Sequence, residues 1–233
     1  MGTDFAGKTV VVTGGTGALG EALVARLVEG GAKCYVPARD EKSVERSRYR
    51  NHPQVTLVPG VDLTSESQVA GLYEKIPSLW ASIHVAGGFA MSPLAKTSLD
   101  DFHAMMNINA VTCFLCCREA VKRIRAGGGG GRIVNVAARP ALVPTGGMIA
   151  YTASKAAVAA ITTGLAEELA ADRIWVNAVV PSIMDTPANR AAMPKADYAK
   201  WPKVEEVADT IVFLASPQNA VTRGGLVPVY GQS

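Results

Sequence analysis

Short apolar runs rich in β-branched residues alternate with helical stretches along the whole chain, and this alternation constrains the fold more than any other feature. Strands are predicted over Lys8–Thr13, Lys33–Pro37, Val55–Pro59, Trp80–Ala86, Arg132–Val136, Ile174–Val180 and Leu226–Val229. Helices are predicted over Ala18–Glu29, Glu66–Lys75, Asp101–Ile124, Ile149–Ala170 and Val204–Ala215, with Ser98 as an N-cap ahead of Asp100 and Asp101. The stretch from Lys42 to Arg50 also reads as a solvated helix face, because Glu45 stands among its cations. Apolar strands separated by helices require a parallel sheet covered on both sides. Right-handed crossovers then give a doubly wound, Rossmann-type α/β fold of three layers around seven strands. No shift in composition divides the 233 residues, so a single domain, 1–233, is expected.

Composition narrows the function. Hydrophobic residues make up 48% and charged residues 18%, a globular balance. The net charge of +3 comes without a basic stripe, which argues against a nucleic-acid partner. Apolar runs fall short of the roughly 20 residues of a membrane span. Asp4 and Lys8 interrupt the first ten residues, so no signal peptide and a cytoplasmic location are expected. Cys113, Cys116 and Cys117 form C-x-x-C-C inside the long central helix. Zinc would need further ligands at suitable spacing, and the sequence offers none nearby, so no metal is expected and these thiols read as buried small hydrophobes. The five glycines Gly127–Gly131 read as a mobile surface turn, since a strand follows them and not a phosphate-binding helix.

Two motifs carry chemistry. Thr13-Gly-Gly-Thr-Gly-Ala-Leu-Gly20 lies between the first strand and the first helix. Glycines there let the backbone approach a pyrophosphate, and the helix N-terminus supplies amide donors. Tyr151 and Lys155 stand four residues apart on one helix and so share a face. A phenol titrates near ~10, and a neighbouring ammonium is expected to lower that value so that Tyr151 can exchange a proton with a substrate.

In this order and context the chain resembles the short-chain dehydrogenase/reductase family. Tyr151-Thr-Ala-Ser-Lys155 matches its Y-x-x-x-K, Asn109 in Asn107-Ile-Asn-Ala110 its helix asparagine, and Asp62-Leu63 its adenine-contacting pair. His84-Val-Ala-Gly-Gly88 lies at its Asn-Asn-Ala-Gly turn, and Pro181–Pro187 at the segment after strand six. The resemblance implies that Tyr151, Lys155 and Asn109 are catalytic, with Lys155 on the nicotinamide ribose and Asn109 supporting a water that leads protons to it. It implies a dinucleotide held by Gly14, Thr16, Gly17, Ala18, Leu19, Gly20, Ala38, Arg39, Asp62, Leu63, His84, Ala86, Gly87, Tyr151, Lys155, Pro181, Ile183 and Thr186. NAD-preferring relatives end strand two with an acidic residue. Here Ala38 and Arg39 stand there, which suits the 2′-phosphate of NADPH, although Asp40 could swing toward a ribose or Arg39 could be a plain surface charge. A homodimer or homotetramer follows from the helices Asp101–Ile124 and Ile149–Ala170, whose counterparts pair between subunits in the family, with Leu226–Tyr230 as a further contact.

Three positions depart from the family pattern. Ala138 replaces the serine thirteen positions before the tyrosine, Ala18 a glycine of the fingerprint, and His84 the first asparagine of the turn. Dihydropteridine reductases resemble this chain in having alanine in the serine's place, G-M-I-x-Y-x-x-x-K, and a D-T-P-x-N-R-x-x-M-P-x-A-D segment before a tryptophan. Those elements correspond to Gly147–Lys155, Asp185–Asp197 and Trp201. That resemblance implies a flat heterocycle such as a quinonoid dihydropterin, bound by Ala138, Met148, Met193 and Trp201, with Met193 and Trp201 reading equally well as lid packing. Such reductases keep the acidic residue after strand two and favour NADH, unlike this chain. A carbonyl or 3-oxoacyl reductase using Thr145 in place of the serine, and a cofactor-binding sensor with little turnover, are the competing readings.

Overall fold

The computed structural model describes residues 4–128, 130–143 and 145–233. Its seven strands are β1 Thr9–Thr13, β2 Lys33–Pro37, β3 Val55–Val58, β4 Ala81–His84, β5 Gly131–Val136, β6 Ile174–Pro181 and β7 Leu226–Val229. They form one parallel sheet in the order β3-β2-β1-β4-β5-β6-β7. The order reverses beside β1, and in such sheets ligands bind at that switch point, beyond the carboxyl ends of the strands.

The helices are α1 Ala18–Glu29, α2 Glu41–Arg46, α3 Glu66–Glu74, α4 Leu99–Met105, α5 Thr112–Ala126, α6 Ile149–Glu168, α7 Pro187–Ala192 and α8 Val204–Ala215. Strand β1 shows why two layers of helix are needed. Val10 and Val12 enter the core under α1 and α8, whereas Val11 enters the core under α3, α5 and α6, and all three are fully buried. Each such valine contributes on the order of 1.5–3 kcal/mol of burial. Every residue of β5 is buried. Arg26 of α1 clasps Asp209 of α8 at 2.7 Å.

Four local features differ from the sequence reading or add to it. The central helix is not uniform: a π-helical turn, Met106–Val111, separates α4 from α5. Strand β4 stops at His84, two residues short of its predicted end, and the chain turns away with the Ala86 amide donating to Thr13 Oγ1 at 3.3 Å. Helix α7 was not anticipated, although Thr186 caps it and Pro187 opens it, both ordinary start signals. Gly130 and Gly131 answer a packing demand: a Cβ would lie 2.4 Å from the Arg173 carbonyl oxygen at Gly130 and 2.8 Å from that of Trp80 at Gly131. Ser98 is the N-cap of α4 in a capping box with Asp101, as expected; α2 is solvated along its length but ends at Arg46, and Ser47 and Tyr49 of the stretch expected to be solvated are buried.

Candidate active site

The turn from β1 to α1 forms a cradle that only glycine permits. Gly14 has φ of +67°, and a Cβ there would come within 2.7 Å of the Ala86 amide nitrogen. A Cβ on Gly20 would lie 2.1 Å from the Gly14 carbonyl oxygen. Gly17 is the N-cap of α1 and brings no side-chain acceptor, so no side chain caps the first-turn amides of Ala18, Leu19 and Gly20. Gly17 and Ala18 are exposed, and a Cβ on Gly17 would meet only the Gly14 carbonyl, at 3.4 Å. This is space and donor chemistry for a phosphate at a helix N-terminus. Leu19 contributes its amide only, because its side chain is buried in the core.

At the end of β2, Ala38 is buried and Arg39 exposed. Asp40 is already engaged: its Oδ1 accepts from the Ser43 amide at 2.8 Å and the Ser43 hydroxyl at 2.7 Å, capping α2. Those bonds hold its carboxyl below the usual range. Asp62 turns likewise onto the Thr64 amide and hydroxyl, and Leu63 beside it is partly buried. The Val61 amide donates to the Ala38 carbonyl at 3.1 Å, so the carboxyl ends of β2 and β3 stay together beside Arg39.

Tyr151 and Lys155 lie in the first half of α6. Phe89 meets the Tyr151 ring edge-on, with centroids 4.9 Å apart. Lys155 Nζ donates to the Val136 carbonyl at 2.8 Å. Asn109 sits in the π turn and is pinned from both sides: its Oδ1 accepts from the Gly88 amide and its Nδ2 donates to the Gly88 carbonyl, each at 3.0 Å. Nδ2 also reaches Ser154 Oγ at 3.1 Å. A Cβ on Gly87 would be 2.6 Å from Asn109 Oδ1 and 3.2 Å from Lys155 Nζ, so the missing side chain lets both groups face one point. Burial acts on the two titrating groups in opposite senses. It pushes the Tyr151 phenol up to about 12 and the Lys155 ammonium down to about 8. The expected lowering of the phenol by Lys155 is therefore not seen; the exclusion of water alone sets its rise. A phenol that keeps its proton at neutral pH is fitted to donate one.

The other sequence-derived positions divide. Ala138 is buried at the end of β5 and has no hydroxyl to offer. Thr145 is exposed and turns to the Val143 carbonyl of its own loop, at 3.4 Å. Met148 lines a cavity of about 140 Å³ with Ala90, Met91, Met105 and Ala150. Pro181 is buried at the end of β6, with Ile183 exposed beyond it. Thr186 Oγ1 accepts from the Asn189 amide. The His84 side chain is buried and hydrogen-bonded to Ser82 and Asn135, so, against the expectation, it is not free to hold a dinucleotide. Trp201 is buried and packs on Tyr198 with ring centroids 5.0 Å apart, and Tyr198 in turn donates to the Met193 carbonyl. Asp185 forks onto Arg190 at 2.6 and 2.7 Å, and Asn189 Nδ2 holds the Met184 carbonyl. Much of the Asp185–Trp201 motif is thus taken up by contacts within its own segment.

Sequence comparison decides the family. The profile of the short chain dehydrogenases matches residues 8–197. The chain belongs to the short-chain dehydrogenase/reductase family. Among its relatives in that family is a short-chain type dehydrogenase/reductase of Picea abies, 30% identical over 97% of this chain and 92% of the relative. Another is the cis-4-hydroxycyclohexanecarboxylate dehydrogenase of Sinomonas cyclohexanicum, 31% identical over 99% and 98%. The crystal structure of the 3-ketoacyl-(acyl-carrier-protein) reductase of Brucella melitensis complexed with NADH superposes with a TM-score of 0.89, at 26% identity over 98% of each chain. As a member of this family the protein is an NAD(P)-dependent oxidoreductase. The nicotinamide dinucleotide supplies or accepts the hydride when bound. The glycine turn would hold its phosphates, Lys155 would orient its ribose, and Tyr151 would carry the proton. No helix among the described residues is long and apolar enough to cross a membrane.

Proposed function

We propose that this dehydrogenase/reductase prefers NADPH and reduces a small planar conjugated acceptor of the quinonoid dihydropterin type. The observation that carries the reading is the pairing of a protonated Tyr151 with a buried, hydroxyl-free Ala138. One proton donor suits a conjugated imine, which spreads the incoming negative charge. A simple ketone localises that charge on one oxygen and gains more from a second donor. Phe89, more than half exposed against Tyr151, offers an apolar rim for a flat ring, and Met91, equally exposed, lines a cavity with Met148. The cofactor preference is supported by Arg39, exposed and forked, with Asp40 occupied in its cap. The test is NADPH oxidation with a quinonoid dihydropterin against an acetoacetyl ester. Turnover of the ester alone would favour the second reading, a carbonyl reductase, which the likeness to the 3-ketoacyl reductase supports. Arg39→Ala should weaken NADPH by about 1.5–3 kcal/mol and leave NADH unchanged. Self-association is supported by Leu99, Phe114 and Phe213, large exposed apolar side chains on three helices. Sedimentation at micromolar concentration, with a 24.3 kDa species alone, would exclude it.

A further inference from the structure

The sequence showed two cysteines one helical turn apart and no further ligand nearby; folding supplies two. Cys113 and Cys117 of α5 lie on one face, with their sulfurs 4.0 Å apart. His84, the last residue of β4, brings Nδ1 to 3.5 Å from Cys117 Sγ. Asn135, opposite His84 on β5, brings Oδ1 to 3.6 Å from Cys117 Sγ and 2.8 Å from His84 Nδ1. The Cys and His ligand atoms all fall within 4.8 Å of one another, and all four residues are buried.

We propose that His84, Cys113 and Cys117, completed by Asn135 Oδ1, bind one zinc ion between α5 and the carboxyl ends of β4 and β5. A tetrahedral zinc with bonds of roughly 2.3 Å to sulfur and 2.0–2.1 Å to nitrogen sets edges near ~3.8 Å between sulfurs and ~3.5 Å between sulfur and nitrogen. The two measured edges are close to these. The His84–Asn135 edge, 2.8 Å here, must open to about 3.3 Å by the same geometry. Zinc is matched by the mixture of two soft sulfurs, an imidazole and a carbonyl oxygen. Binding releases two thiol protons, so the ion and two thiolates sum to zero charge, which a buried position tolerates.

The surroundings already orient these ligands. His84 Nε2 meets Ser82 Oγ at 2.8 Å, and Ser82 Oγ meets Tyr73 OH at 2.7 Å. Either hydroxyl can donate, so this chain can accept the Nε2 proton and leave Nδ1 free for a metal. Asn135 Nδ2 donates to Thr162 Oγ1 at 2.9 Å, which keeps Oδ1 turned toward the cysteines. The site would tie together two segments that meet at the catalytic centre. His84 leads into Gly88, and the π turn holding Asn109 leads into Cys113.

The experiment measures metal in the full-length chain and does not use activity, so it is independent of the substrate and cofactor readings. The chain is produced in zinc-supplemented medium, purified reduced, and analysed for metal. It is then unfolded with chelator and refolded with one equivalent of cadmium as a spectroscopic probe. The expected result is one zinc per chain as purified and, after refolding, one cadmium with an ultraviolet thiolate-to-metal charge-transfer band. His84→Asn should weaken uptake, the double variant Cys113→Ser with Cys117→Ser should abolish it, and Cys34→Ser with Cys116→Ser should keep it. Circular dichroism verifies folding of each variant. A folded chain with neither zinc nor band would overturn the site, leaving a hydrogen-bonded thiol–imidazole cluster. Uptake that survives the Cys113 and Cys117 double variant would overturn it equally. Should the chelated chain fail to refold, the as-purified metal content of the same variants decides.

Discussion

Strand β5 carries a buried cation near each end. Lys155 donates to its last residue, Val136, and Arg132 is its second residue; each side chain leaves the same 6% exposed. Among the described residues no carboxylate pairs with either, and burial lowers both, Lys155 to about 8 and Arg132 to about 10. Their surroundings differ. Arg132 spends its guanidinium on the Gly131 and Asn219 carbonyls and lies between the rings of Trp80 and Trp175, at 4.9 and 5.8 Å. Lys155 has one carbonyl, that of Val136, and no aromatic face among the described residues. At the amino end of the sheet a buried charge is absorbed by structure. At the carboxyl end the same cost is met by a single carbonyl.

The largest effect that would sharpen this contrast is on rate. Tyr151→Phe keeps the ring against Phe89 and removes the proton donor, so turnover should fall ~10²–10⁴-fold with the melting temperature nearly unchanged. Retained activity would break the assignment of chemistry to this end of the sheet.

The second comparison exchanges the two cations. Lys155→Met should lose activity on a similar scale yet gain stability at neutral pH, since burial opposes its charge. Arg132→Met should keep activity and lose about 1–3 kcal/mol, because two carbonyls and two indole faces lose their partner. Denaturant titrations of the two variants should move in opposite directions; movement in the same direction would erase the distinction.

A pH series isolates the lysine. Its folded value, about 8, lies below its ordinary value of 10.5. Between those limits the unfolded chain holds a proton that the folded chain has released, so stability contributed by this group rises with pH. Below about 8 both states are protonated and the penalty is constant. The difference between the protein and Lys155→Met should therefore shrink by up to about 3 kcal/mol as pH climbs through this window. A difference independent of pH would show Lys155 to be solvated.

The smallest expected effect concerns Ala138. Ala138→Ser should leave reduction of a quinonoid pterin nearly unchanged while creating weak ketone reduction, read by NADPH oxidation on both substrates. A sharp rise with the native substrate would identify that substrate as a ketone.

These two ends of the sheet were unequally legible. Tyr151, Lys155 and the glycine turn are local patterns with fixed spacing, so the sequence exposed them. The doubly wound sheet was legible too, because strands buried on both faces leave continuous apolar runs. The role of Arg132 depends on Trp80, Trp175 and Asn219, which are far apart in sequence and meet only on folding. The same is true of His84 beside Cys117. Trp201 is a case of another kind: a tryptophan on a substrate and a tryptophan packing a lid look alike in sequence, and in the fold it packs on Tyr198. The phenol's rise was missed because spacing reveals a neighbouring charge and says nothing of the water excluded.

The π turn at Met106–Val111 has a consequence for how this helix tolerates insertions and deletions. A π turn is one extra residue absorbed into an α-helix, and each residue advances the helix by about 100°. Excision of a single residue ahead of Asn109 can therefore be healed by reverting to ordinary α geometry, leaving Cys113, Cys116, Cys117 and Ala120 in phase with the sheet. The same excision after Val111 has no such reserve and would rotate that buried stripe toward solvent. The tolerance is confined to the one turn that presents Asn109, so a shortened chain could fold well and still have lost the grip of Asn109 on Gly88.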